Sequence, residues 1–293
     1  MKTLVYGSLN IDLVFSVDHI VIPGETISSS SLIKGAGGKG ANQAAALAKA
    51  GMETWMAGKI GRDGAFLLEL LESYGVHTEK VVQYEGPSGQ ALIQVEKSGQ
   101  NSIILFAGGN SKVSREEIEQ CLLFFGKGDL VILQNEISNT DFIMKMAKSR
   151  GMKVVLNPSP WNEMAENLPL ELADTLFVNE IEGAGLAKMG PEISAEDILD
   201  RLCSYFPKTE IILTAGINGA YYGLNKSRAR GEIVSVPVVD TTGAGDSFSG
   251  YFLTARERGY SVQDSLNAAC KAAAITVSRK GAMESIPFKD EVF

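Results

Sequence analysis

Residues 239–250 read VDTTGAGDSFSG and combine a glycine-rich turn, a carboxylate and the predicted start of a helix. The small residues 243–245 let successive backbone N–H groups point into one space, and the helix predicted over 247–258 adds the positive end of its dipole. Asp246 follows the turn directly. A carboxylate beside an anion site suits a hydroxyl that loses a proton while it attacks a phosphate. The alternative is an ordinary N-cap aspartate after a glycine turn.

A second glycine-rich turn, GAGGKGANQA at 35–44, precedes another predicted helix. Its first six residues match GxGxxG, but no strand is predicted directly before them, and the next strand ends at Lys59 rather than at an acid. A nicotinamide oxidoreductase is therefore the weaker alternative. A Walker A loop also fails, because Gly40 stands where that loop has Ser or Thr. What remains is a helix start that presents Lys39 and Asn42 as donors for hydroxyl groups.

The composition suits one large domain, since 293 residues with 45% hydrophobic content can bury a large core. A net charge of −8 and a pI near 5.0 argue against a general nucleic-acid binder. His19 and His77 lack the surroundings of a catalytic triad or a zinc cage. Cys121, Cys203 and Cys270 form no CxxC pair, and no signal peptide or long apolar span occurs. These features predict reduced thiols and a cytoplasmic location.

The order of the predicted elements indicates an α/β fold with a mostly parallel sheet. Helices alternate with strands, which are predicted at 4–7, 54–58, 130–133, 154–156, 175–178 and 211–214. A β-hairpin at 90–96 and 101–106, together with 11–34, predicts a small sheet outside the main body. Open α/β sheets bind ligands at the carboxyl ends of their strands. The polar residues predicted at those ends are Glu136, Asn157, Asn179, Glu182 and Thr214.

Together the motifs resemble the paired signatures of the ribokinase family of carbohydrate kinases. GGKGANQA at 37–44 is similar to the family's first motif, DTTGAGDSF at 240–248 to its second, and NEIE at 179–182 to its NxxE motif. The resemblance covers nearly the whole chain, from GSLNID at 7–12 to RKGA at 279–282. It favours the catalytic interpretation of Asp246, and the intact residues argue against a binding protein that has lost catalysis.

The resemblance implies a three-layer α/β/α fold with a mostly parallel central sheet. Residues 1–293 would form a single kinase domain. Segments 11–34 and 88–107 would form a β-sheet lid that covers the sugar and often pairs two subunits, so a homodimer is expected. A closing lid would also keep water from hydrolysing bound ATP.

The resemblance also implies roles for individual residues. Asp246 would be the general base that takes a proton from the sugar's attacking hydroxyl. The anion-hole amides for the transferring phosphoryl group would come from Gly243, Ala244 and Gly245. The sugar hydroxyls would be held by Asn10, Asp12, Gly38, Lys39, Asn42, Glu136 and Asp246. The ATP site would be lined by Asn179, Thr214, Gly216, Gly219 and Gly245.

Two metal ions are implied as well. Glu182 would act on Mg²⁺ through water, since Mg²⁺ keeps much of its hydration shell. A potassium ion would sit beside the anion hole, with several ligands from backbone carbonyls. The matching positions for potassium are Asp240, Thr242, Thr276, Arg279, Gly281 and Ser285.

The pattern of Lys39 with Asn10, Asp12 and Glu136 is similar to that of the ribose-phosphorylating members of the family. The expected reaction is therefore ATP-dependent phosphorylation of D-ribose at O5, which gives ribose 5-phosphate and ADP. Another sugar, such as fructose or deoxyribose, or a nucleoside stays open as the substrate. Cys270 departs from the family, because many members have a histidine near the adenine there.

Overall fold

The computed structural model describes residues 1–190 and 193–293. Its strands are β1 Thr3–Tyr6, β2 Asn10–Val17, β3 Ser31–Gly37, β4 Thr54–Ile60, β5 His77–Gln83, β6 Gly89–Glu96, β7 Asn101–Phe106, β8 Leu130–Gln134, β9 Lys153–Asn157, β10 Thr175–Asn179, β11 Glu210–Thr214, β12 Ala220–Leu224 and β13 Ser227–Gly231. Its helices are α1 Lys39–Ala50, α2 Ala65–Ser73, α3 Arg115–Leu122, α4 Thr140–Ser149, α5 Glu163–Glu166, α6 Glu180–Ala187, α7 Ala195–Tyr205, α8 Ala244–Glu257, α9 Val262–Val277 and α10 Lys289–Val292.

Nine strands form a central sheet in the order β13-β12-β11-β10-β9-β8-β1-β4-β5. The seven strands from β11 to β5 pair in parallel, while β12 and β13 add an antiparallel edge. Parallel neighbours need crossover connections, and the helices supply them. The carboxyl ends of the parallel strands therefore lie along one edge of the sheet, where the polar residues predicted from the sequence gather.

Two hydrophobic cores cover the two faces of this sheet. Leu4 and Leu133 belong to one core, which packs against α3, α4, α6 and α7, whereas Val5 and Ile132 belong to the other, which packs against α1, α2, α8 and α9. This division follows from the alternation of side chains along a strand. The predicted three-layer α/β/α fold with a mostly parallel sheet is thereby confirmed. No helix in the described ranges is long and apolar enough to cross a membrane.

A separate four-stranded sheet has the order β3-β2-β6-β7. β2 pairs antiparallel with β3 and parallel with β6, and β6 and β7 form the predicted hairpin. The small second sheet expected from the sequence is thus present.

Three local predictions need correction. A strand, Ser31–Gly37, does precede the turn at 35–40, but it lies antiparallel in the small sheet and not in a parallel βαβ unit. The helix predicted from 247 begins at Ala244, so Asp246 lies inside its first turn. The apolar spacing of Phe66, Leu67, Leu70 and Leu71 predicts a helix over 63–74, but α2 begins at Ala65, after a short 3₁₀ turn. Glycine at the turn obscures such boundaries, because it accepts both helical and non-helical backbone.

Candidate active site

The first turn of α8 forms one wall of a cleft of about 460 Å³. Gly243 precedes the helix with φ 74°, a left-handed conformation that favours glycine. Ser247 N–H donates to Gly243 O at 2.8 Å and begins the helical hydrogen-bond ladder. The N–H groups of Gly245 and Asp246 come before that bond and have no partner within the helix. Gly243, Ala244, Gly245 and Asp246 all line the cleft, so its wall can accept an anion.

The Asp246 carboxylate is buried, with only 7% of the residue exposed. Its Oδ2 accepts from Asn42 Nδ2 at 3.0 Å, and its Oδ1 accepts from Gln43 Nε2 at 3.0 Å. Burial raises the pKa of this carboxyl, while the Lys39 ammonium and the two amide donors act in the opposite direction without cancelling it. A carboxylate with raised proton affinity is better suited to accept a proton.

Gln43 is held from behind by a second buried amide. Gln134 Nε2 donates to Gln43 Oε1 at 2.7 Å, and both side chains are almost completely buried. Gln134 is the last residue of β8, and Gln43 lies in the first turns of α1. Neither residue was assigned a role from the sequence. Gln43 lies within the GGKGANQA motif, whereas Gln134 is a single amide at the end of a strand and belongs to no motif.

Lys39 and Glu136 lie beside Asp246. Glu136 Oε2 accepts from the Ser8 hydroxyl, and also from the backbone N–H of Lys39 at 3.3 Å. Burial raises the pKa of Glu136, and the nearby Lys39 opposes that shift. For Lys39 itself, burial lowers the pKa, but the charges of Asp246, Glu136 and Glu182 outweigh burial and raise it. Lys39 is therefore held as an ammonium group among carboxylates.

Asn10 and Asp12 lie on β2, two residues apart and hence on one face of the strand. Asn10 Oδ1 accepts from Asn110 Nδ2 at 2.7 Å. Burial raises the pKa of Asp12 to about 7, and the charges of Glu136 and Glu284 add to the effect. Glu136 thus acts on Asp12 and is itself influenced by the charge of Asp246, so residues of the first and last thirds of the chain lie near one another.

Glycine is required around these side chains. A Cβ atom at Gly37 would lie 2.1 Å from Asp12 Oδ2, and one at Gly89 would lie 2.2 Å from Asn10 Oδ1. Gly38 has φ 94° and forms the N-cap of α1. Any side chain at 37 or 89 would displace the carboxylate or the amide that it meets.

The cleft extends from Asp246 and Lys39 to the ends of β10 and β11. Asn179, Glu182, Thr214 and Gly216 line it, as the sequence analysis expects for a nucleotide site. Gly219 does not line it. The backbone of Gly219 has φ 85° and closes the turn between β11 and β12, where a Cβ would lie 2.3 Å from Gly231 O.

Glu182 is 95% buried and takes part in a capping box at the start of α6. Its Oε2 accepts from Asn179 N–H at 3.0 Å, and its own N–H donates to Asn179 Oδ1 at 2.8 Å. One carboxylate oxygen is thus committed to the helix while the residue still lines the cleft. Within residues 1–190 and 193–293, no group of three or more His, Cys, Asp and Glu side chains is arranged to hold a metal ion.

Most of the positions expected for potassium lie on two loops that meet beside the first turn of α8, while Thr276 lies in the last turn of α9. Asp240 Oδ1 accepts from Thr242 N–H at 3.0 Å and from its hydroxyl at 2.7 Å, and Asp240 Oδ2 accepts from Gly281 N–H at 3.1 Å. Ser285 Oγ donates to Ala282 O. The Thr276 hydroxyl donates to Ala272 O and contacts Ser247 Oγ. The Arg279 guanidinium pairs with Glu291, so Arg279 could contribute only its carbonyl to an ion.

Several residues that shape the site were missed from the sequence. Ser8 and Asn110 orient Glu136 and Asn10, and Glu284 acts on Asp12. The position of Ser8 in the GSLNID segment gave a possible signal for its role. Asn110 and Glu284 lie outside the recognised motifs, so only the fold brings them to the site.

Comparisons with known proteins show which family and fold this chain shares. Residues 2–289 match the profile described as pfkB family carbohydrate kinase. A ribokinase of Haemophilus influenzae is 35% identical over 99% of this chain and 97% of its own length. The crystal structure of a Cryptococcus neoformans ribokinase in complex with ADP superposes with a TM-score of 0.87 at 37% identity, covering 99% of this chain and 98% of that one. The structure of Arabidopsis thaliana ribokinase complexed with ribose and ATP gives 0.86 at 31% identity, covering 99% and 97%.

Proposed function

The chain belongs to the pfkB family of carbohydrate kinases, and we propose that it transfers the γ-phosphoryl group of ATP to O5 of D-ribose. The observation that carries the proposal is the position of Asp246. Its carboxylate is buried, lies in the first turn of α8 at the wall of the cleft, and contacts Asn42 from the lysine-bearing turn. A base and an anion site thus share one place, which is what transfer to a hydroxyl requires.

In the proposed reaction, Asp246 accepts the proton of the ribose O5 hydroxyl as O5 bonds to the γ-phosphorus. The bond from that phosphorus to the bridging oxygen breaks, and ADP leaves with the electron pair. The amides of Gly245 and Asp246, which have no partner within the helix, and the Lys39 ammonium stabilise the charge on the transferring group. The Ala244 N–H, which the sequence analysis included in the anion hole, donates instead to Thr241 O at 3.3 Å. Because the transition state is loose, correct placement of O5 contributes more than the strength of the base.

Ribose is favoured over other substrates by the donors and acceptors around Lys39. Asn10, Asp12 and Glu136 supply acceptors, while Lys39 and Asn42 supply donors, so adjacent hydroxyls can be bound from both sides. In the part of the chain that the structure describes, Asn42 Oδ1 is buried and has no hydrogen-bond partner. A relative that is complexed with ribose and ATP in the same fold supports the same substrates here.

Mg²⁺ would reach the cleft with the nucleotide. Mg²⁺ is commonly bound through one or two carboxylates, substrate phosphates and water. Glu182 fits this pattern, because it lines the cleft and one of its oxygens is free of the capping box. When bound, the ion would neutralise charge on the phosphates, and Glu182 would orient its water ligands.

K⁺ would occupy the junction of the loops that Asp240 joins. The oxygen atoms available there are carboxylate, hydroxyl and carbonyl oxygens, which suit a large monovalent cation. Asp240, Thr242, Gly281 and Ser285 would hold the ion, with Thr276 and Arg279 contributing through their carbonyls. These loops adjoin Gly243, so a bound ion would stabilise the anion hole.

The four-stranded sheet would act as a lid and as the interface of a homodimer, while residues 1–293 form one kinase domain. The apolar side chains of β3 and β7, which are its edge strands, are about half exposed. Exposed apolar edges favour association. These residues are Leu32, Ile33, Ile103, Ile104, Leu105 and Phe106. A charge introduced by Ile104→Glu should shift the sedimentation coefficient from dimer to monomer. The cytoplasmic location stays a prediction.

The substrate is tested by ADP release with MgATP and a panel that contains ribose, deoxyribose, fructose, other hexoses and nucleosides. We expect the highest kcat/KM for D-ribose, and a product whose phosphorus couples to the C5 protons in the NMR spectrum. A higher kcat/KM for deoxyribose, fructose or a nucleoside would replace ribose while leaving the kinase class intact. Absence of ADP release with every acceptor would refute the proposal.

A further inference from the structure

Two buried glutamines connect Asp246 to the central sheet. Gln134 Nε2 donates to Gln43 Oε1, and Gln43 Nε2 donates to Asp246 Oδ1, so the hydrogen-bond chain runs from β8 through α1 to α8. We propose that Gln43 and Gln134 are positioning residues that fix the orientation of the Asp246 carboxylate toward the acceptor hydroxyl. This inference rests on the proposed function, because it assumes that Asp246 is the base.

The hydrogen-bond chain from Gln134 through Gln43 to Asp246 has one favourable direction. An ionised carboxylate can only accept hydrogen bonds, so the group of Gln43 that faces Asp246 must be the NH₂ end. The Oε1 atom of Gln43 then faces Gln134, which must in turn present its own NH₂ end. If Gln134 turned over, its oxygen would attract the NH₂ end of Gln43, and Gln43 Oε1 would face Asp246 Oδ1. The orientation of Gln134 therefore decides whether Gln43 supports or repels the base.

Packing holds Gln134 in place. The residue is fully buried at the end of β8, and a Cβ at Gly7 would lie 2.0 Å from Gln134 Oε1. Among residues 1–190 and 193–293, that oxygen has no hydrogen-bond partner. Burying an unpaired acceptor is unfavourable, whereas an apolar side chain of the same size would avoid this cost. Stability alone does not explain an amide at this position, but the need for a donor to Gln43 does.

Gln43 is also separable from the groups that would bind substrate. Asn42 donates to the other carboxylate oxygen, Oδ2, and Lys39 and Glu136 are the charged groups beside Asp246. Glu182 acts on Lys39 from across the cleft. None of these four side chains is hydrogen-bonded to Gln43 or Gln134 in the contacts of the described residues. Replacement of either glutamine should thus change the orientation and the proton affinity of the Asp246 carboxylate. The sugar and nucleotide contacts should stay in place.

The test uses Gln43→Met and Gln134→Met, which keep the side-chain length but remove the amide. Loss of a donor to the carboxylate raises its proton affinity, so the acid limb of the kcat profile should move to higher pH by about one unit in Gln43→Met. kcat should fall at least tenfold, while KM for ribose and ATP stays within about twofold. Gln134→Met should cause a smaller shift in the same direction. Gln120→Leu, a change at an exposed glutamine on α3, is the control.

The double variant and a carboxylate variant sharpen the test. If Gln134 acts through Gln43, adding Gln134→Met to Gln43→Met should change the acid limb no further. Gln134→Glu should shift the limb more than Gln134→Met, because an ionised carboxylate attracts the NH₂ end of Gln43 away from Asp246. An unmoved acid limb in Gln43→Met, or fully additive shifts in the double variant, would overturn the proposal.

The proposed function and the positioning role can fail separately. If the wild-type enzyme phosphorylates no acceptor, the proposed function fails. If the wild type is active, Asp246→Asn is inactive and Gln43→Met has an unchanged profile, only the positioning role fails. Should the methionine variants not fold, the side-chain NH₂ resonances of Gln43 in the wild type decide. Their chemical shifts should change with pH over the same range as the acid limb of the kcat profile, and this change should be lost in Asp246→Asn. Wild-type resonances that do not respond to pH would overturn the proposal.

Discussion

Replacement of Asp12 by asparagine should stabilise the protein in alkaline solution while it weakens sugar binding. Burial, with the charges of Glu136 and Glu284, raises the pKa of Asp12 in the folded state well above its ordinary value, to about 7. A carboxyl whose pKa is raised by folding contributes to the free energy of unfolding, and this contribution is complete at pH values below the pKa of the unfolded chain. That contribution is lost as the pH rises toward the folded pKa. The wild type therefore loses stability between about pH 4 and pH 7, and Asp12→Asn does not.

The size of the effect follows from the pKa of about 7. The interval from pH 5 to pH 7 is about two units. At about 1.4 kcal/mol per unit, the wild type should lose about 3 kcal/mol of unfolding free energy relative to Asp12→Asn. Asp12 is only partly buried, so screening by solvent reduces the difference to about 2 kcal/mol. For a chain of this size the gap between the two proteins should widen by about 3 °C in Tm between pH 5 and pH 8.

The assay is thermal unfolding of the wild type and Asp12→Asn, without ligands, at half-unit steps from pH 5 to pH 8.5. The difference between the two curves isolates Asp12 and its coupling to Glu136. Asp18→Asn is the control, because Asp18 is exposed and its Lys97 partner lowers its pKa, so its variant should not gain stability with pH. A gap between wild type and Asp12→Asn that is the same at pH 5 and pH 8 would refute the reasoning.

Three further outcomes are expected. Asp246→Asn should lower kcat by about 10²-fold or more with ribose and ATP binding retained, and near-normal turnover would remove Asp246 from the role of base. Gly37→Ala should raise KM for the sugar about tenfold because its Cβ would lie 2.1 Å from Asp12 Oδ2. Gly35→Ala, whose Cβ would lie 3.9 Å from Asp12 Cβ, should not, and equal KM values would contradict the steric argument. The wild-type phosphorylation rate should be several-fold higher in K⁺ than in Na⁺, and this ratio should be smaller in Asp240→Asn. Equal wild-type rates in the two salts would count against the ion site.

The sequence predicts the fold well where periodicity and motifs coincide. The strands of the parallel sheet have continuous apolar runs such as 130–133 in β8. Ser114 and Glu117 have the spacing of a capping box, which predicts a helix start, and α3 begins at Arg115 with that box formed. The edge strands β5 and β13 were missed. His77–Gln83 and Ser227–Gly231 are mostly polar, and such segments form strands only because a neighbour in the sheet offers backbone hydrogen bonds.

The site was predictable to the extent that its residues lie in motifs. Asn42 and Asp246 come from the two glycine-rich turns, and they meet at 3.0 Å. The supporting residues could not be found in this way. Gln134, Asn110 and Glu284 act through contacts with residues 90 or more positions away, and a single sequence carries no record of such distances.

The cluster of carboxylates around Lys39 implies that the site is assembled at a cost to stability. Burial raises the pKa of Asp12, Glu136 and Asp246 alike, so ionising each of these carboxyls is less favourable in the folded protein than in the unfolded chain. One ammonium cannot offset three buried acids. Hydroxyl groups of a bound sugar would donate to these oxygens and favour their ionised forms, which should lower the pKa values and release protons. The charges that oppose folding would thus become the charges that recognise the substrate, and Asp246 would be ionised when its proton acceptor role begins.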